Sequence, residues 1–484
     1  MHLIFYSPSE WDTWSLGRRP LIPEGMPVLV DEDLVLEEGG KLRPAAVANL
    51  WFRELPISGA PARRTWKTYA QGVRSWLEFL AERGVDPLGE RDDLRAALSA
   101  FSEYRFAGPL KARWDEGTWN LNINTVARFY DWAVDQGHCA VQPFTYAIVR
   151  RYTDAGVQKA KRNTATVRAA KPHARVKYLE ADFRQMFVRA LAGLRPDGEP
   201  DSFRGRHLGR NAAMASLVLS SGLRSQEFTH LLSYELPSPP VRRSSVPVRF
   251  PLAAQITKGK KARETWADYD ALLEVRQYVE LDRAAVLMGR EYVPAARLGE
   301  PLPVVEPDWE GGTVGGRRVS WRKLTLNERL RMVTPDGAPA IIAVQSDGTP
   351  FIDWPTTFRR ASARIRRDFE PRFPTVTPHM LRHSFAMATL ERLVKGHYAR
   401  AAALVADADE DAALALYLTK QDPLLVLRDL LGHTSVTTTE IYLARLDVHR
   451  IYRDVYRDAG RHSGAAAAEA DAEFDGEEGG DGSW

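Results

Sequence analysis

Asp429-Leu430-Leu431-Gly432-His433-Thr434-Ser435-Val436-Thr437-Thr438-Thr439-Glu440-Ile441-Tyr442-Leu443 is the stretch on which the reading of this chain turns. Gly432 predicts the end of one helix, and the Ser/Thr-rich run with Glu440 predicts the cap of the next. His433 then sits at the break, with Tyr442 nine residues later. A lone tyrosine on an amphipathic helix is ordinarily packing, so the weight falls on what accompanies it.

Upstream, Thr377-Pro378-His379-Met380-Leu381-Arg382-His383 predicts a helix start, with Thr377 as N-cap and Pro378 at the first helical position. His379 and Arg382 then share one face, a turn apart. An H-x-x-R pattern is weak by itself, with roughly one or two expected by chance in such a composition. Two others occur, His207 to Arg210 and His397 to Arg400, but neither has the cap. Further upstream, Ser220-Ser221-Gly222-Leu223-Arg224-Ser225-Gln226-Glu227 predicts a helix broken at Gly222 and restarted near Arg224. The break aims the Arg224 guanidinium into a cleft, and Glu227 is placed to hold it. Val246 to Ile256 and Glu264 to Trp266 flank Thr257-Lys258-Gly259-Lys260, which predicts a hairpin. The order along the chain is therefore Arg, Lys, His-x-x-Arg, His, Tyr.

In that order these segments resemble the tyrosine recombinase (phage integrase) family, whose motifs take the form G-L-R-x-x-E, a hairpin lysine, H-x-L-R, L-G-H and a final tyrosine. The resemblance implies a DNA-breaking and rejoining enzyme with arginines Arg224 and Arg382, hairpin lysine Lys258, histidines His379 and His433, supporting acid Glu227 and nucleophile Tyr442. Lys260 and Lys261 in the same turn leave the lysine assignment open, while Tyr452 and Tyr456 lack the Gly-His spacing. Attack on the phosphodiester places extra negative charge on its non-bridging oxygens, and two guanidiniums, each donating a planar pair of hydrogen bonds, match them better than lysines would, with His433 assisting. A free tyrosine titrates near 10, so Tyr442 needs positive charge nearby and a base, for which His379 is the candidate. Lys258 is the general acid for the departing 5′ oxygen. A 3′-phosphotyrosine bond keeps the ester's energy, so no ATP, metal or other cofactor is expected; no carboxylate cluster resembling a two-metal nuclease is seen.

The fold class expected is mainly α with a small β-sheet or hairpin: an N-terminal helical core-binding (SAM-like) domain and a C-terminal α+β catalytic domain. Residues 1–45 lack a period and are expected to be an irregular arm. Residues 46–148 predict a helical domain: one helix capped by Thr65 with Tyr69, Val73, Trp76, Leu77 and Leu80 facing the core, a second near Leu94–Tyr104, and a third with Val126, Phe129, Tyr130 and Ala133 ending at Gly137. Arg63, Arg64, Lys67 and Arg74 line the other side of the first as candidate DNA contacts. Residues 149–177 are expected to be a basic linker. Arg150, Arg151, Lys159, Lys161, Arg162, Arg168, Lys171, Arg175 and Lys177 stand there against Asp154 alone, too polar to fold unaided and suited to a strap along a phosphate backbone. Residues 178–460 form the expected catalytic domain, with insertions at about 285–345 and 393–420; Pro294 to Gly316 reads as an insertion or long loop, and Ala401–Leu404 with Ala412–Leu418 as extra helix. A further helix carrying Leu443, Leu446, Ile451 and Val455 follows the tyrosine, and 461–484 is an expected disordered acidic tail.

At 484 residues, 44% hydrophobic and 27% charged, the chain is expected to be a soluble protein of two or more domains. Its formal charge of +3 becomes +10 when the seven acidic residues of the tail are set aside. No apolar run has the roughly 20 residues of a membrane span, and no signal peptide is recognised. The single cysteine, Cys139, excludes an internal disulfide framework and fits a reducing compartment. The expected partner is double-stranded DNA, closed between two domains and engaged by a homotetramer on two sites, in a prokaryotic-type cytoplasm in association with the nucleoid. Two alternatives differ in activity: a type IB-like topoisomerase that reseals without exchange, and a non-catalytic DNA-binding protein of the same fold.

Overall fold

The computed structural model describes all residues except 8–20, 61, 154–155, 169–176, 296–297, 407–422, 434–438, 440–441, 443–445, 447–450 and 452–484, and only the backbone at 151–153, 156–158, 397–406 and 423. The chain is mainly α with small sheets and divides into two compact units, 1–173 and 174–484.

The first unit is built on an aromatic core. Helix α1 (Pro44–Glu54) starts with proline at a position where its missing N–H costs nothing. Helices α2 (Arg63–Ala81), α3 (Arg91–Ala107) and α4 (Glu116–Asp135) follow. Helix α2 begins two residues before the expected cap, Thr65, whose N–H instead reaches the Ala62 carbonyl. Its apolar face buries Val73, Trp76, Leu77 and Leu80 as the spacing predicts, against Trp119 and Phe129 of α4; Tyr69 is only half-buried, and Trp66, which the spacing did not single out, is buried. The polar atoms carried inward are satisfied: Trp76 Nε1 donates to the Tyr130 hydroxyl at 3.0 Å, which donates to the Pro87 carbonyl at 2.8 Å. Asp115 caps α4 by accepting the Thr118 N–H.

The expected irregular arm is a correction. Strands β1 (His2–Phe5) and β2 (Pro27–Val30) pair antiparallel, β3 (Glu37–Glu38) pairs with β4 (Lys41–Leu42), and Met26 and Leu29 are buried in the helical core. Strands of four or two residues are too short to show a period. The expected strap is a second correction, because β5 (Tyr146–Thr153) and β6 (Gly156–Asn163) form a full antiparallel hairpin. Its polar side chains need no core of their own: the ladder uses backbone groups, and the returning chain is tied to α4. Trp119 Nε1 donates to the Ala165 carbonyl at 2.9 Å, and the Asn120 amide both donates to the Val167 carbonyl and accepts its N–H.

In the second unit α5 (Ala181–Leu191), α6 (Leu208–Ser221) and α7 (Ser225–Thr229) precede the expected hairpin, seen as β7 (Val248–Leu252) and β8 (Arg263–Ala267). Helix α8 (Tyr269–Gln277) runs through a π-helical turn, Tyr278–Arg283, into α9 (Ala284–Leu287). The first expected insertion is no loop. It contains β9 (Leu302–Val305), β10 (Gly311–Val314), β11 (Arg317–Ser320), α10 (Leu326–Arg331) and β12 (Met332–Val333), in a sheet of order β11-β10-β9-β12. Its own small core includes Val304, Trp321, Met332 and Ile341. Beneath it Arg329, fully buried, donates two hydrogen bonds to Glu235 at 2.6 and 2.9 Å and others to the Trp321 and His230 carbonyls. Glycine and proline suggested a loop there; the short strands between them were masked by that punctuation.

Helix α11 (Trp354–Asp368) leads to α12 (Pro378–Ala406), where Thr377 Oγ1 accepts the Met380 N–H at 3.2 Å, as the sequence predicts. Helix α13 (Pro423–Leu431) ends at Gly432, which is left-handed at φ +60°. Ala401–Leu404 falls in α12, whereas 412–418, Tyr452, Tyr456 and the acidic tail lie outside the described residues; of the predicted helix after Tyr442, Leu446 and the buried Ile451 are described, and both pack with Tyr442.

Candidate active site

Three chain reversals assemble the site, and each places one charged group. At the first, α6 stops and Gly222 turns left-handed at φ +65°. The turn carries Arg224, which precedes α7. The buried Glu227 carboxylate accepts the Arg224 backbone N–H at 2.7 Å and its guanidinium at 3.0 Å. The same carboxylate accepts from Arg263 of β8 at 2.7 Å. Two guanidiniums thus share one carboxylate, whose pKa the Arg263 charge and hydrogen bond hold down against its burial.

At the second reversal, the capped start of α12 buries Arg382, half-buries His383 and leaves His379 exposed beside it. Arg382 is 2% exposed and donates to the Gly222 carbonyl at 2.5 Å and to the Leu431 carbonyl. It therefore ties the end of α6 to the end of α13, using two of an arginine's five N–H donors. At the third, Gly432 ends α13, and its carbonyl accepts from Arg224 at 3.3 Å. A Cβ on Gly432 would stand 2.6 Å from Arg263 Cδ, so both the left-handed backbone and the close approach require glycine. His433 follows, with Nδ1 paired to Thr439 Oγ1 at 3.1 Å.

Tyr442 closes the arrangement. Its ring is 1% exposed and lies parallel to that of His433, 6.5 Å between centroids. Its hydroxyl is 2.7 Å from Nδ1 of His383, whose ring lies 4.2 Å from that of His379. Lys258 is exposed in the turn between β7 and β8, after Thr257, whose hydroxyl donates within the turn to the Lys261 carbonyl at 2.6 Å. Its charge reaches His379.

The electrostatics are those of a buried site short of negative charge. Burial, then Arg224 and Arg263, bring the Arg382 guanidinium down to about 9. Burial, then His379 and Arg382, bring His383 down to about 4; burial, then Arg382, Arg224 and Arg263, bring His433 down to about 4; and burial, then Arg382, Arg224 and Lys258, push His379 down. These rings are neutral near pH 7. Burial raises the Tyr442 phenol to about 12, against the downward pull of Arg382 and Arg224. An oxyanion entering such a site offsets these positive charges together. Among the described residues no His/Cys/Asp/Glu cluster fit for a metal is present.

The structure thus brings together Arg224, Glu227, His379, Arg382, His433 and Tyr442, with Lys258 on the adjoining turn. Sequence reasoning missed Arg263 and His383. For Arg263 there was no signal beyond an inward position on a strand. For His383 there was one: it lies four residues after His379, on the same helical face.

The candidate DNA contacts of the first unit are mixed. Arg63 pairs with Glu24 at 3.0 Å and Arg74 with Glu78 at 2.8 Å, while Arg64 and Lys67 are exposed. Arg150, Lys159, Lys161, Arg162 and Arg168 are exposed on and beside the β5–β6 hairpin; the side chain of Arg151 and all of Lys171 lie outside the described residues.

No protein-family model matches the chain, and no curated protein matches it. Among solved structures it is similar to the XerH site-specific recombinase bound to palindromic difH substrate in a post-cleavage complex. The identity is 12% over 86% of this chain and 84% of that one, with a TM-score of 0.44. The Tn1549 transposon integrase in complex with circular intermediate DNA aligns at 14% identity over 82% and 94%, TM-score 0.41. A lambda integrase dimer bound to a core site aligns at 14% over 80% and 91%, TM-score 0.41. Scores this low carry no argument by themselves, so the function is argued from the site's own chemistry.

Proposed function

We propose that this protein is a tyrosine-type site-specific DNA recombinase or integrase, cleaving and rejoining strands through a 3′-phosphotyrosine bond to Tyr442. The observation that carries the reading is that groups from positions 224 to 442 meet at one partly buried, cation-rich site containing a phenol. Arg224 and Arg382, with His433, take the non-bridging oxygens of the scissile phosphate. Glu227 holds Arg224 in place, and Lys258 protonates the departing 5′ oxygen. Neither ATP nor a metal enters the scheme. The partner is duplex DNA, with exchange requiring four protomers on two sites, and the setting is a prokaryotic-type cytoplasm at the nucleoid. No helix among the described residues is long and apolar enough to cross a membrane.

The test is capture of a covalent adduct from a pool of randomised nicked duplexes, followed by sequencing of the DNA flanking the bond. An adduct is expected with the wild-type chain, absent in Tyr442→Phe and retained in Tyr452→Phe. Failure to capture any DNA leaves a binding protein. Strand transfer between two labelled sites, as against relaxation of supercoils alone, separates a recombinase from a topoisomerase.

A further inference from the structure

We propose that His383 is the base that takes the phenolic proton of Tyr442 as its oxygen attacks phosphorus, an assignment that rests on Tyr442 being the nucleophile. Among the described residues the site offers four candidate acceptors, and the geometry separates them. His433 lies parallel to the Tyr442 ring at 6.5 Å with Nδ1 engaged by Thr439, and both oxygens of Glu227 are taken by arginines. His379 touches the ring of His383, 4.2 Å between centroids. Among the described residues, only His383 has a hydrogen bond to the phenol, at 2.7 Å. With its proton on Nε2, its Nδ1 lone pair faces the hydroxyl, and a proton moving along an existing hydrogen bond needs no rearrangement.

The groups facing His383 are His379 and Arg382 from its own helix, and His433 and Tyr442 from the chain after α13. Burial and these neighbours keep the free ring neutral, at about 4, and so able to accept. A bound phosphodiester adds the negative charge that favours the imidazolium formed. The step balances. The Tyr442 Oη–phosphorus bond forms and the phosphorus–O5′ bond breaks; the phenolic proton passes to Nδ1 of His383, and O5′ takes a proton from Lys258. Religation runs in reverse, with His383 returning its proton to the departing phenol oxygen.

The test measures single-turnover adduct formation by the full-length protein on its captured nicked duplex between pH 5.5 and 9.5. Asparagine can mimic the Nδ1 side of imidazole without titrating. His383→Asn should slow the reaction about 100-fold or more at pH 7, its rate then climbing with hydroxide concentration, whereas His379→Asn, at whatever lower rate, should not acquire that hydroxide dependence. A duplex with sulfur at the bridging 5′ position needs no acid: it should rescue Lys258→Ala and leave His383→Asn slow. His383→Gln, checked by thermal melt, repeats the comparison if the asparagine variant fails to fold. A wild-type adduct with His383→Asn within threefold of its rate, or rescued by sulfur, overturns this assignment alone. A wild-type chain that forms no adduct removes the nucleophile reading, and the assignment with it.

Discussion

At the scale of single residues, the site is built from side chains whose environments oppose their usual charge. His383 and His433 are held neutral in the fold at about 4, against an ordinary 6.5. The unfolded chain therefore binds protons that the folded chain refuses. Stability is complete above 6.5 and falls as pH drops from 6.5 toward 4, because protonation favours the unfolded state in that window. Both rings are partly solvated, so the loss is on the order of 1 kcal/mol for each. Urea melts through that range should show the midpoint falling, and the double variant His383→Asn/His433→Asn should flatten the fall. Loss of the Glu227 contribution lies lower, because the depressed carboxylate keeps its partners until pH falls beneath its ordinary 4.5.

At the scale of elements, helix ends do most of the positioning. Gly222 and Gly432 end α6 and α13 in left-handed turns, and Arg382 donates to carbonyls at both ends. A Cβ at Gly222 would meet Phe385 Cδ1 at 2.3 Å while the backbone stays at φ +65°. Gly222→Ala should therefore cost about 2–4 kcal/mol by the combined strain and overpacking. Chemical denaturation should register that loss, and adduct formation should fall with it because Arg382 loses its anchor. An unchanged denaturation midpoint would mean that the turn relaxes freely.

At the scale of the whole molecule, charge is unevenly spread, and strands β5 and β6 carry Arg150, Arg151, Lys159, Lys161 and Arg162 with no acidic residue. Arg150 stands opposite Lys159 in the ladder, a like-charged pair that destabilises the hairpin unless an anion lies across it. Phosphates of a bound duplex would supply one. Replacing both with glutamine should make the dependence of log Kd on log salt shallower by about 2, since each phosphate contact releases roughly 0.9 counterion. DNA titrations from 50 to 300 mM salt read this directly, and an unaltered slope would place the hairpin away from the backbone.

The sequence by itself determined the local events: the Gly222 and Gly432 breaks, the Thr377-Pro378 start of α12, the β7–β8 turn with Lys258, and the aromatic face of α2. Each depends on a residue's own conformational limits or on a period, which neighbours in sequence suffice to express. The order of charged motifs made the candidate site legible on the same ground. Short strands at 1–45 and in the 285–345 insertion were not legible, because two to four residues show no alternation and their pairing comes from distant chain. Nor was the hairpin at 146–163, whose stability comes from backbone ladders and docking on α4 rather than from apolar side chains. Tertiary structure alone decided that Arg263 shares Glu227 with Arg224, and that the phenol of Tyr442 meets His383 and not His379. Those choices are made by distances of about 3 Å between residues 36 and 59 positions apart, and no local rule reaches that far.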